Sequence, residues 1–131
     1  MIKLVYCITR REDVAPEEFY RYWLEEHGPK VRGVAKAIGA VRYVQSHTVM
    51  SDRNKALQES RGLEPPYDGI TEVWYPSGGS REASLEERAA AAQLLLEDES
   101  RFIDFSRSRV FMTEEHEIFD YTAGQRPGQE E

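Results

Sequence analysis

Apolar and polar positions change rhythm repeatedly along the chain, and each change predicts an element. Residues 2–9, IKLVYCIT, are β-branched, aliphatic and aromatic and end on the charged turn RREDV, which predicts a first strand. Pro16 followed by Glu17 and Glu18 opens a helix, because proline loses no needed donor at a first helical position and acids suit the positive dipole end. Phe19, Trp23 and His27 step by four and share one stripe of it. Gly28 and Pro29 predict a break and a restart, with Val31, Val34, Ala35 and Ile38 on the apolar face of a second segment ending at Gly39. Residues 40–49 alternate as a second strand, with Val41, Tyr43, Gln45, His47 and Val49 on one face. The polar stretch 50–67, closed by Pro65 and Pro66, reads as a long mobile flap.

Residues 69–75 form a third strand, with Ile70, Glu72 and Trp74 on one side and Thr71, Val73 and Tyr75 on the other. PSGGS at 76–80 is its exit loop, and Ser84 with Glu87 makes a capping box that opens a helix to about Leu96. A new start at Asp98 carries Phe102, Ile103 and Phe105 in a short turn, before a last strand over about 108–118. The tail 121–131 is polar with Gly and Pro and reads as disordered. The order βαββαβ defines one α+β, ferredoxin-like domain over residues 1–120: an antiparallel sheet with both helices on one face. Its other face, expected to carry Val44 and Val73, needs a cover that the chain itself does not supply. A homodimer is therefore expected. Arg42, one residue from Tyr43, points to that outer side.

Composition narrows the function classes. The 131 residues are 40% hydrophobic and 31% charged, with a net charge of -7, so the chain reads as globular and lacks the basic surface that nucleic acid requires. The single cysteine, Cys7, allows no intrachain disulfide and suits a reducing compartment. The N-terminus puts its arginines after a short apolar run, the reverse of a signal peptide, and no run approaches the ~18 apolar residues of a membrane span. A cytoplasmic protein is expected, with no membrane partner.

The three histidines, His27, His47 and His116, show no metal-ligand spacing, and neither a glycine-rich phosphate loop nor a GxSxG nucleophile turn occurs. No cofactor and no metal are expected. General acid/base chemistry remains, with His27, His47, Tyr43 and Glu72 as candidates. Each has a plain structural alternative: a helix cap for His27, a strand-end surface position for His47, a half-buried core position for Tyr43. Glu72, between Ile70 and Trp74, needs a partner if buried. His116 reads as a solvated edge residue, and SLEERAAAAQLLLEDE as an amphipathic helix with a solvated acidic face. Height along the crossover places His27 and His47 at similar levels, facing one cavity if Tyr43 and His47 share the helix side.

EEFYRYWLEEHGP, GAVRYVQSH and YDGITEVWY together resemble the EthD-like family of the dimeric α+β barrel superfamily, from residue 1 to about residue 120. The resemblance implies a pocket between the helices and the concave sheet of each subunit, and a role for the histidine before Gly-Pro, here His27. Carried over by position, Tyr43 and His47 come from the second strand and Asp68 and Glu72 from the third. Trp23, Trp74, Asp68 and Gln45 are then substrate-binding positions. Ala15 departs from the usual serine-type helix cap. The implied activity is that of a cofactor-independent acid/base enzyme of lyase, isomerase or cyclase type. Its substrate is a small hydrophobic molecule, aromatic or carbonyl-bearing. One histidine takes a proton next to a carbonyl, the other or Tyr43 donates to the oxyanion, and Glu72 orients a ring nitrogen. The alternatives are a non-catalytic binding or accessory protein in a degradation pathway and a cofactor-free monooxygenase.

The homodimer is checked by light scattering at micromolar concentration, which should report about twice the 15.1 kDa chain mass.

Overall fold

The computed structural model describes residues 1–77, 82–124 and 128. Residues 78–80 of the expected exit loop, and 125–127 and 129–131 of the expected tail, lie outside them. Four strands, β1 (Ile2–Ile8), β2 (Arg42–His47), β3 (Gly69–Tyr75) and β4 (Arg109–Glu114), form one antiparallel sheet in the order β2-β3-β1-β4. The helices are α1 (Pro16–Tyr22), α2 (Gly28–Ile38), α3 (Ser51–Arg61) and α4 (Leu85–Glu99), with a short 3-10 turn at Phe105–Arg107. Without α3, this is the ferredoxin-like order that the alternation predicts.

Register decides which residues share a face. Tyr6 stands opposite both Thr71 and Val110, and Tyr43 opposite Val73, so these side chains look toward the helices together with Leu4 and Ile8. Lys3 opposite Trp74, and Val5 and Val44 opposite Glu72, look away from them. Val73 is thus buried on the helix side, a correction to its expected place on the outer face, while Val44 does lie there. Under the helices, Ile8, Phe19, Trp23, Phe102 and Ile103 make the central apolar cluster.

The first helix does not break at Gly28. Between α1 and α2 the backbone stays right-handed helical through a single π turn, Trp23–His27, closed by the Gly28 N–H on the Trp23 carbonyl. The physical reason lies in Pro29, which lacks a donor and whose ring would press on the carbonyl four residues back in a straight α-helix; the wider turn just before it relieves both. The π turn also keeps Phe19, Trp23, His27 and Val31 buried on one line. In ideal α-helix, steps of four drift by about 40° each, or roughly 120° across the three.

Two further expectations are corrected. The stretch after β2 is not an irregular loop: α3 runs for three turns, entered from Met50 in a left-handed conformation and stopped by left-handed Gly62. It buries none of its side chains. Strong helix formers such as Lys55, Ala56, Leu57, Gln58 and Glu59 form it without a core beneath. The helix opened by the Ser84 cap, whose side chain accepts from the Glu87 N–H, continues past Leu96 to Glu99, so Asp98 lies in its last turn and starts no new element.

Gly69 is the one strand position that the packing reserves for glycine. A Cβ there would overlap the Trp23 ring and approach the Ser46 carbonyl oxygen to 2.7 Å. Gly69→Ala should destabilise the chain by about 1–3 kcal/mol in denaturant unfolding, because neither the backbone nor the buried indole can yield.

Candidate functional site

The sheet and the helices enclose a cavity of about 450 Å³ whose walls include Leu4, Ile8, Val31, Ile38, Val73 and Ile103. That volume lies within the range of small-molecule sites. His27, Tyr43, Thr71, Tyr6 and Glu99 bring polar groups to this apolar wall.

His27 is only 6% exposed, and its Nδ1 lies 2.7 Å from Oδ2 of Asp98, itself 4% exposed. The other oxygen of Asp98 accepts from Tyr22 Oη and from Lys30 Nζ, the latter at 2.7 Å. Burial pulls the Asp98 carboxyl upward, but Lys30, Tyr22 and His27 together hold it below its ordinary value. An ionised Asp98 makes Nδ1 of His27 the donor and leaves the Nε2 lone pair free. Burial lowers His27 below its ordinary value, against the opposing pull of Asp98, so the ring is neutral near pH 7. The pair holds the His27 ring in one orientation on the wall of an apolar cavity, and the side chain makes no helix-cap hydrogen bond.

Tyr43 brings a hydroxyl to the same wall. Its Oη accepts from Gln45 Nε2 at 2.8 Å, the same amide nitrogen donates to the Trp23 carbonyl at 2.8 Å, and Gln45 Oε1 lies 2.8 Å from His47 Nε2. Burial raises the Tyr43 phenol, so it stays protonated and can donate. His47 lies on the helix side of the sheet but does not line the cavity: its ring is stacked on Trp23, centroids 4.4 Å apart and 10° from parallel. Gln45 links it to Tyr43 by hydrogen bonds.

Other candidates lie elsewhere. Glu72 is on the outer face of the sheet, paired with Lys3 Nζ at 2.7 Å, because its register partners are Val5 and Val44. Trp74 is on the same face, with the Arg42 guanidinium 4.3 Å above its ring and its Nε1 donating to Glu115. Neither lines the cavity, so the expected grouping of Glu72 and Trp74 with His27 and Tyr43 is corrected. Asp68 holds the Arg10 N–H through Oδ2 at 2.7 Å and the Tyr20 hydroxyl through its carbonyl oxygen at 2.9 Å, a structural place between β1, α1 and β3. Among the described residues, no group of three or more His, Cys, Asp or Glu could hold a metal ion, and no helix is long and apolar enough to cross a membrane.

Sequence reasoning misses two acids, Asp98 and Glu99. Both follow Ala91 and Leu95 at helical spacing, and Ala91 is buried, so the inward stripe continues to them. Glu99 lines the cavity beside Tyr6; burial raises its carboxyl above the ordinary range, and a hydrogen bond from Tyr6 partly offsets the rise.

A histidine–aspartate pair thus faces an apolar cavity between the helices and the antiparallel sheet of an α+β domain. The EthD domain family model matches residues 11–106, and the chain belongs to that family. Among solved structures, the chain is similar to an ethyl tert-butyl ether D (EthD) family protein from Bacillus halodurans C-125, at 19% identity and TM-score 0.55, over 88% of this chain and 99% of that one. An EthD-like protein from Ralstonia eutropha JMP134 is 15% identical, with TM-score 0.53, over 86% and 89%. HapK from Hahella chejuensis is 14% identical, with TM-score 0.51, over 95% and 100%. At such identities the likeness establishes the fold. No curated protein matches the chain.

The buried pair ties stability to pH in one direction. A histidine whose folded value is lowered binds fewer protons than in the unfolded chain, so stability falls as pH drops below about 6.5. A carboxylate with a lowered folded value contributes stability above about pH 3.9, and this is lost as pH falls toward its folded value. Denaturant unfolding from pH 7 to pH 3 should show both stages. Asp98→Ala should cost about 3–5 kcal/mol at pH 7, by uncovering buried partners, and should shrink the lower stage, to which other paired carboxylates also contribute.

Proposed function

We propose that the chain is a cofactor-independent acid/base enzyme of lyase, isomerase or cyclase type, acting on a small hydrophobic molecule with a carbonyl or an aromatic ring. One observation carries the reading: the buried His27–Asp98 pair on the wall of the 450 Å³ cavity, facing the same space as Tyr43. Neutral His27 takes a proton from carbon next to a carbonyl, and Asp98 stabilises the imidazolium that forms. Tyr43 donates to the oxygen on which negative charge develops. The proton returns at the same or another carbon, or a leaving group departs, which gives isomerisation, ring closure or elimination. Glu99, whose carboxyl burial raises above its ordinary range, lies on the same wall as a second proton-transfer group. His47 and Gln45 position the Tyr43 hydroxyl.

The enzyme is proposed to act as a homodimer, with the outer sheet face, including Val5, Val44, Ile70 and Phe111, laid against a second copy. Ile70 and Phe111 are large apolar side chains left exposed in the single chain.

2-Tetralone, an apolar bicyclic ketone with acidic hydrogens next to its carbonyl, tests the chemistry without knowledge of the natural substrate. Wild-type protein in D2O should accelerate deuterium entry at those carbons by about 100-fold or more over buffer, followed by proton NMR. His27→Ala should lose that acceleration while binding is retained. Glu72→Gln, altered on the opposite face, should exchange within about twofold of wild type, since nothing in the proton path touches it. Binding of 2-tetralone without exchange would overturn the catalytic reading in favour of a binding protein.

A further inference from the structure

The last turn of α4 sets two acids side by side, and the protein answers only the first of them in full. Asp98 accepts from His27, Tyr22 and Lys30. Glu99, half-buried on the cavity wall, accepts from the Tyr6 hydroxyl, and among the described residues no lysine, arginine or histidine pairs with it. In either protonation state a carboxyl has more lone pairs than one hydroxyl fills. The wall around it is apolar, with Leu95 one turn before it, Ile103 one turn after it, and Val110 opposite Tyr6. In such surroundings an unfilled acceptor favours an occupant that brings a donor.

Sheet order fixes how far this acceptor lies from the reacting end of the cavity. Tyr43 is on β2 and Tyr6 on β1, and Thr71 and Val73 of β3 lie between them, all on the helix side. Two strand spacings are about 10 Å. A molecule lying across β3 therefore reaches both the His27 and Tyr43 end and the Tyr6 and Glu99 end if it carries polar groups at its own two ends. The sign of charge at the β1 end also discriminates. Arg109, the one arginine or lysine among the described lining residues, is in register with Cys7 and so belongs to the outer face. A carboxylate on the occupant would meet Glu99 there with no cation to offset it.

We propose that Glu99, held by Tyr6, is a specificity-determining residue of the cavity, accepting a hydrogen bond from a hydroxyl at the end of the substrate remote from the reacting carbonyl. The substrate class is then a hydroxylated, otherwise apolar ketone of roughly two-ring length, and not a carboxylic acid. This rests on the acid/base reading only in placing the reacting carbonyl at His27 and Tyr43; binding preference and proton exchange are measured separately.

2-Tetralone, 6-hydroxy-2-tetralone and 6-methoxy-2-tetralone share one bicyclic ketone and differ at the remote end, which carries no oxygen, a donor, or an oxygen without a proton. In titration calorimetry, wild-type protein should bind the hydroxy compound about tenfold or more tightly than either of the others. A carboxyl at the same position should weaken binding about tenfold or more relative to 2-tetralone. In Glu99→Leu the preference for the hydroxyl should fall below about threefold, while Glu99→Gln, which keeps an acceptor oxygen, should hold an intermediate preference. Equal affinity for the hydroxy and unsubstituted ketones in wild type would overturn the inference. So would a methoxy compound that binds as tightly as the hydroxy one, a carboxylate that binds as well as 2-tetralone, an unchanged preference in Glu99→Leu, or binding of none of the compounds. The wild-type comparison decides the matter even if Glu99→Leu fails to fold. Absence of deuterium exchange with the hydroxyl preference intact counts against the acid/base reading alone; exchange without a hydroxyl preference counts against the role of Glu99 alone.

Discussion

The hydrogen bond between His27 and Asp98 is the constraint on which the arrangement of this domain depends. It joins the π turn to the last turn of α4 through two residues 71 apart in sequence, and it does so in the interior. A buried carboxylate is tolerated only when its lone pairs are filled, and Asp98 meets that demand with donors from His27, Tyr22 and Lys30. Meeting it fixes the rotation of α4, and that rotation carries Glu99 to the cavity wall beside Tyr6. The geometry of the cavity wall and the docking of the helix are one requirement.

The two faces of the sheet divide the polar side chains between them. The helix side holds neutral, oriented groups in apolar surroundings: His27, Tyr43, Gln45 and Thr71. The outer side holds opposite charges that answer one another, Lys3 with Glu72 and Glu115, and Arg42 over Trp74. Neutral polar groups in a low-dielectric space are sensitive to what an occupant presents to them, whereas mutually satisfied ion pairs are not.

Much of this was legible in the sequence, for physical reasons. Strand composition and the period of two located all four strands, and the spacing of Phe19, Trp23 and His27 pointed the histidine inward before any tertiary contact was known. Partnership was not legible. Glu72 and Tyr43 both lie on strands beside apolar neighbours, and only the register of β3 against β1 and β2 sends one outward and the other in. His47 shares a face with Tyr43, but the flat stack on Trp23 keeps it from the cavity, and ring stacking leaves no signature in spacing. Helix α3 was obscured because its residues are polar on all sides, so it lacks the apolar stripe by which helices are read; its stop at Gly62 was the available signal. Asp98 and Glu99 were hidden in an acidic run that continues the buried line of Ala91 and Leu95.

The π turn at Trp23–His27 is, in terms of chain length, one residue more than an α-helix would need over the same rise. That surplus sets the phase between the aromatic half of the helix, which fills the core, and the half that follows, which walls the cavity. A relative with one residue fewer in this stretch would wind as plain α-helix, and everything after the deletion would rotate by about 100°. Such a chain could keep its fold through Phe19 and Trp23 while turning its histidine away from Asp98. The length of this stretch, more than the presence of a histidine, thus decides whether such a side chain meets Asp98 at the cavity wall.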